Sequence, residues 1–328
     1  MSQAFPGGQP PGASPPGALP AGEVLNEAFQ FTLRRWWTVV RFGWLPAALG
    51  ALAFLGYGAL AFEPPGQTVD GAASGLALRM PAFAVFMLGV AVVAVVLYLY
   101  AGFMTSIYRL VATGEERGGV FQIRTDPPVA RVFWAVLIVN GLTLALFGLG
   151  LVLATIVAGR APGELFSAVA EFASLAAAAN AAGAPIPQQE AERLAEPLGV
   201  LFLGAVGAMA PITYVNIRLT PFVAGSAVEN RLLLFGAFHL TRGRFWSIFL
   251  IFFLLIVSIL ALSIIIELAA EIFNQLGEAL TALGGGAGLA GGVLLFIGFL
   301  IGVGFQLFSA ALQLSAQGIV YRRLKTGA

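Results

Sequence analysis

Two sets of residues have the types and spacing to hold a ligand, and a third has the types without the spacing. Arg34 and Arg35 stand just before Trp37, and Arg242 and Arg244 just before Trp246. A guanidinium can grip two phosphate oxygens at once, and an indole settles immediately below the headgroup layer of a bilayer. This pairing is the chemistry of anionic lipid headgroups. Asn140, Asn216, Gln306 and Gln313 are amides set inside long apolar runs. Such groups either line a polar path or hydrogen-bond between packed helices, the second being their commoner use. The remaining candidates are His239 and the pair Glu267 and Glu271, four apart and so on one helical face. Neither has an acid, base or metal-ligand set beside it. With one histidine and no cysteine in 328 residues, thiolate metal sites and disulfides are excluded. The stretch LGGGAGLAGG from Leu283 lacks the Lys and Ser or Thr of a phosphate loop and reads as a flexible turn. No catalytic group, metal or cofactor is therefore expected, and the protein does not read as an enzyme.

The elements that must position these residues follow from hydropathy. Charged residues make up 10% and apolar residues 59% of the chain, a balance that no water-facing surface tolerates. Apolar runs at 44–62, 82–111, 130–158, 198–217, 245–266 and 289–319 are each roughly 20 residues or more, enough to cross a hydrocarbon core. The expected fold is an all-α integral membrane protein with six transmembrane helices and amphipathic interfacial helices. Asp126 before Pro127 and Pro128 marks the start of the third span, because Asp caps free amides and Pro is tolerated in the first turn. Residues 24–41 alternate as an interfacial helix, with Leu25, Ala28, Phe29, Leu33, Trp36, Val39 and Val40 on the apolar face. Residues 1–22, rich in Pro, Gly, Ala and Ser, read as a disordered tail, and 23–328 as the membrane domain. Between the third and fourth spans, an Ala-rich piece near 164–182 and an acidic piece at 188–196 are predicted to be surface helices. None of the six spans carries an Asp, Glu, Lys or His in its interior, which disfavours proton or ion coupling.

Orientation follows from the basic residues near the span ends. Six spans put fourteen of the seventeen Arg and Lys residues on the side shared by both termini; only Arg79, Arg160 and Arg193 fall opposite. Both termini are expected in the cytoplasm. The segment AFQFTLRRWWTVV from Ala28 aligns without a gap with AFHLTRGRFWSIF from Ala237, and the units close alike at Tyr108, Thr113 and Gly114 and at Tyr321, Thr326 and Gly327. A repeated helix-hairpin unit over 24–114 and 232–327 is the simplest reading, with a weaker central unit at 122–224.

The segment RLTPFVAGSAVENRLLLFGAFHLTRGRFW, from Arg218 to Trp246, resembles the membrane domain of glycerophosphodiester phosphodiesterases and related bacterial polytopic proteins. His239 departs from the small residue usual in that pattern. The resemblance implies a helical bundle in the bacterial inner membrane; no phosphodiesterase catalytic domain is present to carry that activity. A non-catalytic membrane module that binds anionic lipid or organises membrane partners is the expected function, with a permease or export component for a small apolar or zwitterionic solute as the alternative. Seventeen cations against sixteen anions give no reason to expect nucleic acid.

Overall fold

The computed structural model describes residues 19–61, 81–116, 126–159, 161–182 and 185–327. Among them every regular element is an α-helix: α1 Ala21–Arg34, α2 Trp36–Ala61, α3 Ala82–Thr113, α4 Pro127–Val157, α5 Pro162–Ala182, α6 Gln188–Glu229, α7 Leu234–Leu240, α8 Phe245–Ala282 and α9 Gly285–Thr326. Helices α2, α3, α4, α6, α8 and α9 are long and apolar enough to cross a membrane. The chain is an all-α, multi-pass membrane protein.

Each apolar run is the centre of one of these helices, and the differences lie at the ends. Helix α4 begins at Pro127, where the Val129 amide donates to the Asp126 carbonyl at 2.9 Å. Helices α6, α8 and α9 outrun their apolar segments, because good helix formers such as Glu, Gln and Ala extend an existing hydrogen-bond ladder. The acidic piece at 188–196 is thus the start of α6 rather than a separate helix, while the Ala-rich piece is α5. The fourth span does not end with its apolar run at 217: α6 continues to Glu229, with Phe222, Ala224 and Ala227 fully buried. The glycine-rich stretch is also more ordered than a flexible turn. Its turn is confined to Leu283 and Gly284, Gly284 and Gly285 take the positive φ values a tight reversal needs, and α9 is already helical from Gly285.

The first interfacial helix is shorter than predicted. It stops at Arg34, and Trp36 to Arg41 belong to α2. Its buried stripe is Val24, Ala28 and Thr32: of the apolar face expected within α1 only Ala28 is buried, Leu25 and Phe29 are half-buried and Leu33 is exposed. The cause is tertiary: α1 packs against α8 and α9, and the Thr32 hydroxyl donates to Ser315 Oγ at 3.4 Å. Ala21 and Gly22 are helical; the rest of the tail expected over 1–22 lies outside the described residues, apart from Leu19 and Pro20. Arg79, Arg117, Arg124 and Arg160 also lie outside them.

The chain divides into two compact units, Met1–Ala135 with Thr220–Ala328, and Val136–Leu219. In the first, α2 packs on α3, α8 on α9, and α9 also against α1, α2 and α3. The α8 and α9 hairpin is drawn tight by glycines: a Cβ on Gly291 would meet the Gly277 carbonyl oxygen at 2.5 Å, and one on Gly298 would meet Asn274 Oδ1 at 2.7 Å. Gly298 therefore works with Gly291, one face along the helix, whereas Gly302 and Gly304 have open space around them. At the opposite end of α9, Tyr108 and Tyr321 are fully buried, and Glu27 of α1, the Val111 carbonyl of α3 and Arg322 of α9 meet. The two matching sequence segments share their environment. Ala28 and Ala237, Thr32 and Thr241, and Val39 and Ile248 are all buried, while Trp37 and Trp246 are both exposed. Gly114 and Gly327 close α3 and α9 with the same left-handed cap, φ +70° in each.

In the second unit, α4 and α6 meet through small residues. A Cβ on Gly150 would lie 2.5 Å from the Ala208 methyl, and one on Gly204 would lie 2.7 Å from that of Ala154. Both helices present a small residue at every fourth position there, which lets two backbones approach closely. Gly207, three residues on from Gly204, faces open space instead. Ala168 of α5 and Leu194 of α6 are buried, and Arg193 bridges to Glu171 of α5.

Candidate functional site

The basic end of the first unit is a set of clamps, each with a carboxylate at its centre. Glu116, just past α3, accepts from Arg35 at 2.8 Å, Arg41 at 2.7 Å and the Thr38 hydroxyl at 3.2 Å. Glu229, at the end of α6, accepts from the Tyr321 hydroxyl, from Lys325 at 2.9 Å and from Arg231 at 2.7 Å. Arg322 pairs with Glu27, and Arg323 reaches Glu27 at 3.1 Å and Glu23 at 3.2 Å. Arg109 pairs with Glu115 at 2.7 Å, and Arg131 donates to Asn230. Most of these pairs are solvent-accessible, so each contributes no more than about 1 kcal/mol. Their larger consequence is electrostatic: seven of the basic side chains counted for orientation already hold a carboxylate.

The predicted headgroup residues separate along this line. Arg35 is committed to Glu116. Arg34, in the last turn of α1, and Arg242 and Arg244, between α7 and α8, form no ion pair among the described residues. Trp37 is 81% exposed and Trp246 75% exposed, the latter edge-on to Phe245 and Phe249 at centroid distances of 5.3 and 5.8 Å. Phe235 on α7 is 86% exposed. Arg244 is the residue before α8, and no side chain caps that helix start. The positive end of a long helix dipole therefore adds to Arg242 and Arg244 at one boundary. His239 lies exposed on α7, and Glu267 and Glu271 lie exposed on α8, where Glu271 accepts from Gln275 at 2.9 Å. Among the described residues no three His, Cys, Asp or Glu side chains are grouped for a metal.

The four amides proposed for a polar path do not share a site. Asn140 donates to the carbonyl of Val136 in its own helix at 2.8 Å, and Asn216 accepts from Thr143 at 3.3 Å within the second unit. Gln313 is exposed on α9. Gln306 alone among them lines a cleft of about 990 Å³ in the first unit, together with Tyr100 and Asn274. Those two companions were not singled out from sequence; Asn274 lies past residue 266, where the apolar run of the fifth span stops. A second cleft, about 590 Å³ in the Val136–Leu219 unit, is lined wholly by apolar residues and glycine, among them Leu146, Leu153, Leu203 and Pro211.

No protein-family model, curated protein or solved structure matches this chain.

Proposed function

We propose that this protein is a non-catalytic module of the bacterial inner membrane that binds anionic lipid at its basic end, with both termini in the cytoplasm. The observation that carries the reading is the separation of the arginines. Arg35, Arg41, Arg109, Arg231, Arg322 and Arg323 are neutralised by carboxylates within the chain, while Arg34, Arg242 and Arg244 stay unpaired among the described residues beside exposed indole and phenyl rings. A cation left at a hydrocarbon boundary attracts phosphate at about 1 kcal/mol per residue, and the rings anchor just below it. The fourteen-to-three asymmetry of basic residues supports the cytoplasmic assignment. The matching burial of the segments from Ala28 and Ala237 supports descent from a duplicated helix-hairpin unit. The central unit, expected over 122–224, then closes at Asn230, whose φ of +55° parallels Gly114 and Gly327.

The test is lipid retention by the purified, reconstituted protein. Arg242→Gln combined with Arg244→Gln should lower phosphatidylglycerol affinity roughly thirtyfold, about 2 kcal/mol for two boundary cations. Arg35→Gln should leave retention unchanged, since its guanidinium serves Glu116. Equal retention in all three proteins removes the proposal. A permease for a small apolar solute is the second reading, and it rests on the cleft around Gln306; the cleft offers no charged group to a zwitterion.

A further inference from the structure

The cleft in the first unit is built from the middle stretches of α2, α3 and α9 and one wall of α8. Gln306 lies near the midpoint of α9, about 30 Å from either end at 1.5 Å per residue, so it is set at hydrocarbon depth and not at the boundary. No Asp, Glu, Lys, Arg or His lines the cleft. Its polar groups are the Tyr100 hydroxyl and the amides of Asn274 and Gln306, and none of the three has a hydrogen-bond partner among the described residues. An amide against hydrocarbon with no partner costs several kcal/mol. A partner must therefore come from the lipid phase. An ionised headgroup would be desolvated here without a counter-charge, which excludes it.

We infer that this cleft binds one neutral amphiphile of the acylglycerol type. The hydrocarbon chain lies along Phe54, Val96, Leu295 and Phe299, and the hydroxyl or ester oxygens meet Tyr100, Asn274 and Gln306. A volume of about 990 Å³ is at the upper end of the range for small-molecule sites and suits a long single chain. Glycines shape the site: Gly298 admits the Asn274 amide, and Gly302 leaves the α9 wall bare. The site is distinct from the headgroup surface and does not depend on that reading.

The experiment titrates the purified full chain in detergent with 1-oleoylglycerol, and in parallel with dioleoylphosphatidylglycerol and hexadecane, counting bound molecules by native mass spectrometry. Gly302→Phe fills the cleft, while Gly304→Phe places the same ring on the same helix in open space outside it. One 1-oleoylglycerol per chain is expected, weakened at least tenfold by Gly302→Phe and unchanged by Gly304→Phe. Asn274→Leu with Gln306→Leu should weaken 1-oleoylglycerol roughly tenfold and leave hexadecane within twofold. Ala51→Trp fills the cleft from α2 and repeats the test should Gly302→Phe not fold. Equal binding by plugged and control proteins overturns the inference, as does displacement of 1-oleoylglycerol by an equal concentration of phosphatidylglycerol. The arginine variants read phosphatidylglycerol alone, so either reading fails by its own result.

Discussion

Gly291→Leu should lower the thermal midpoint of the detergent-solubilised protein by roughly 6–10 °C, while Gly292→Leu, one residue further on, should leave it within about 1 °C. The two positions share a helix, a residue type and a propensity cost. They differ in what a side chain would meet. A Cβ on Gly291 falls 2.3 Å from Thr281 Oγ1, 2.5 Å from the Gly277 carbonyl oxygen and 2.6 Å from the Thr281 amide nitrogen, whereas nothing lies within 4 Å at Gly292. Two of the three obstructing atoms are backbone, so no rotamer change relieves the clash and α8 must move away from α9. Overpacking in a core that can relax costs 1–3 kcal/mol; a contact against backbone belongs at or above the top of that range, about 3 kcal/mol. Separation of the helices also releases Leu295, which packs against Gly277. A second variant checks the mechanism: Gly277→Leu should be nearly as harmful, and the pair together less harmful than their sum, since the first substitution has already opened the contact. Equal midpoints for Gly291→Leu and Gly292→Leu would show that the hairpin does not rely on this approach.

The same contact shows where sequence reasoning reached and where it stopped. Six apolar runs were legible because water-to-hydrocarbon transfer acts residue by residue, and so was the start of α4 behind Asp126, because capping is local. Helix ends beyond the hydrocarbon were not. Past Ile217 and Ile266 the hydropathy signal fades, but the backbone ladder does not, and α6 and α8 carry on to Glu229 and Ala282. The GxxxG spacing pairs Gly298 with Gly302, yet the glycine that shares its approach to α8 is seven residues away at Gly291. Both spacings return to one face of a helix, and only the partner helix decides between them. Thr32 was left off the apolar face for a related reason: nothing local marks a hydroxyl as buried until Ser315 is placed opposite it. For the candidate sites, the Arg and Trp pairs were visible as types, whereas the commitment of Arg35 to Glu116 joins residues 81 positions apart and leaves no local trace. The cleft was half visible: Gln306 stood out as an amide in an apolar run, while Asn274 sat beyond the run and Tyr100, inside the second run, carried no signal of its own.

Glu229→Ala should cost about 2 kcal/mol of stability and Glu229→Gln well under 1 kcal/mol, measured as chemical unfolding in mixed micelles. Three partners converge on this carboxylate, and they differ in what its loss does to them. Lys325 and Arg231 have more than half of their side-chain surface exposed, so each regains water and loses little. Tyr321 cannot. Its side chain is fully buried between α6 and α9, its ring against Gly225, and Glu229, itself only 16% exposed, is the acceptor for its hydroxyl. Removal of the carboxylate leaves a buried hydroxyl without an acceptor, a penalty of about 1–3 kcal/mol and the largest part of the effect. Glutamine keeps an oxygen in reach of that hydroxyl and gives up only the exposed ion pairs. The assignment makes a sharper claim on the double variant. Tyr321→Phe removes the orphaned group, so Glu229→Ala with Tyr321→Phe should be more stable than the sum of the single losses by about 1 kcal/mol or more. Strict additivity would mean that the two side chains act independently, and that the carboxylate serves the exposed cations alone. A large loss for Glu229→Gln would point the same way, because it would put the weight on charge and not on the hydroxyl.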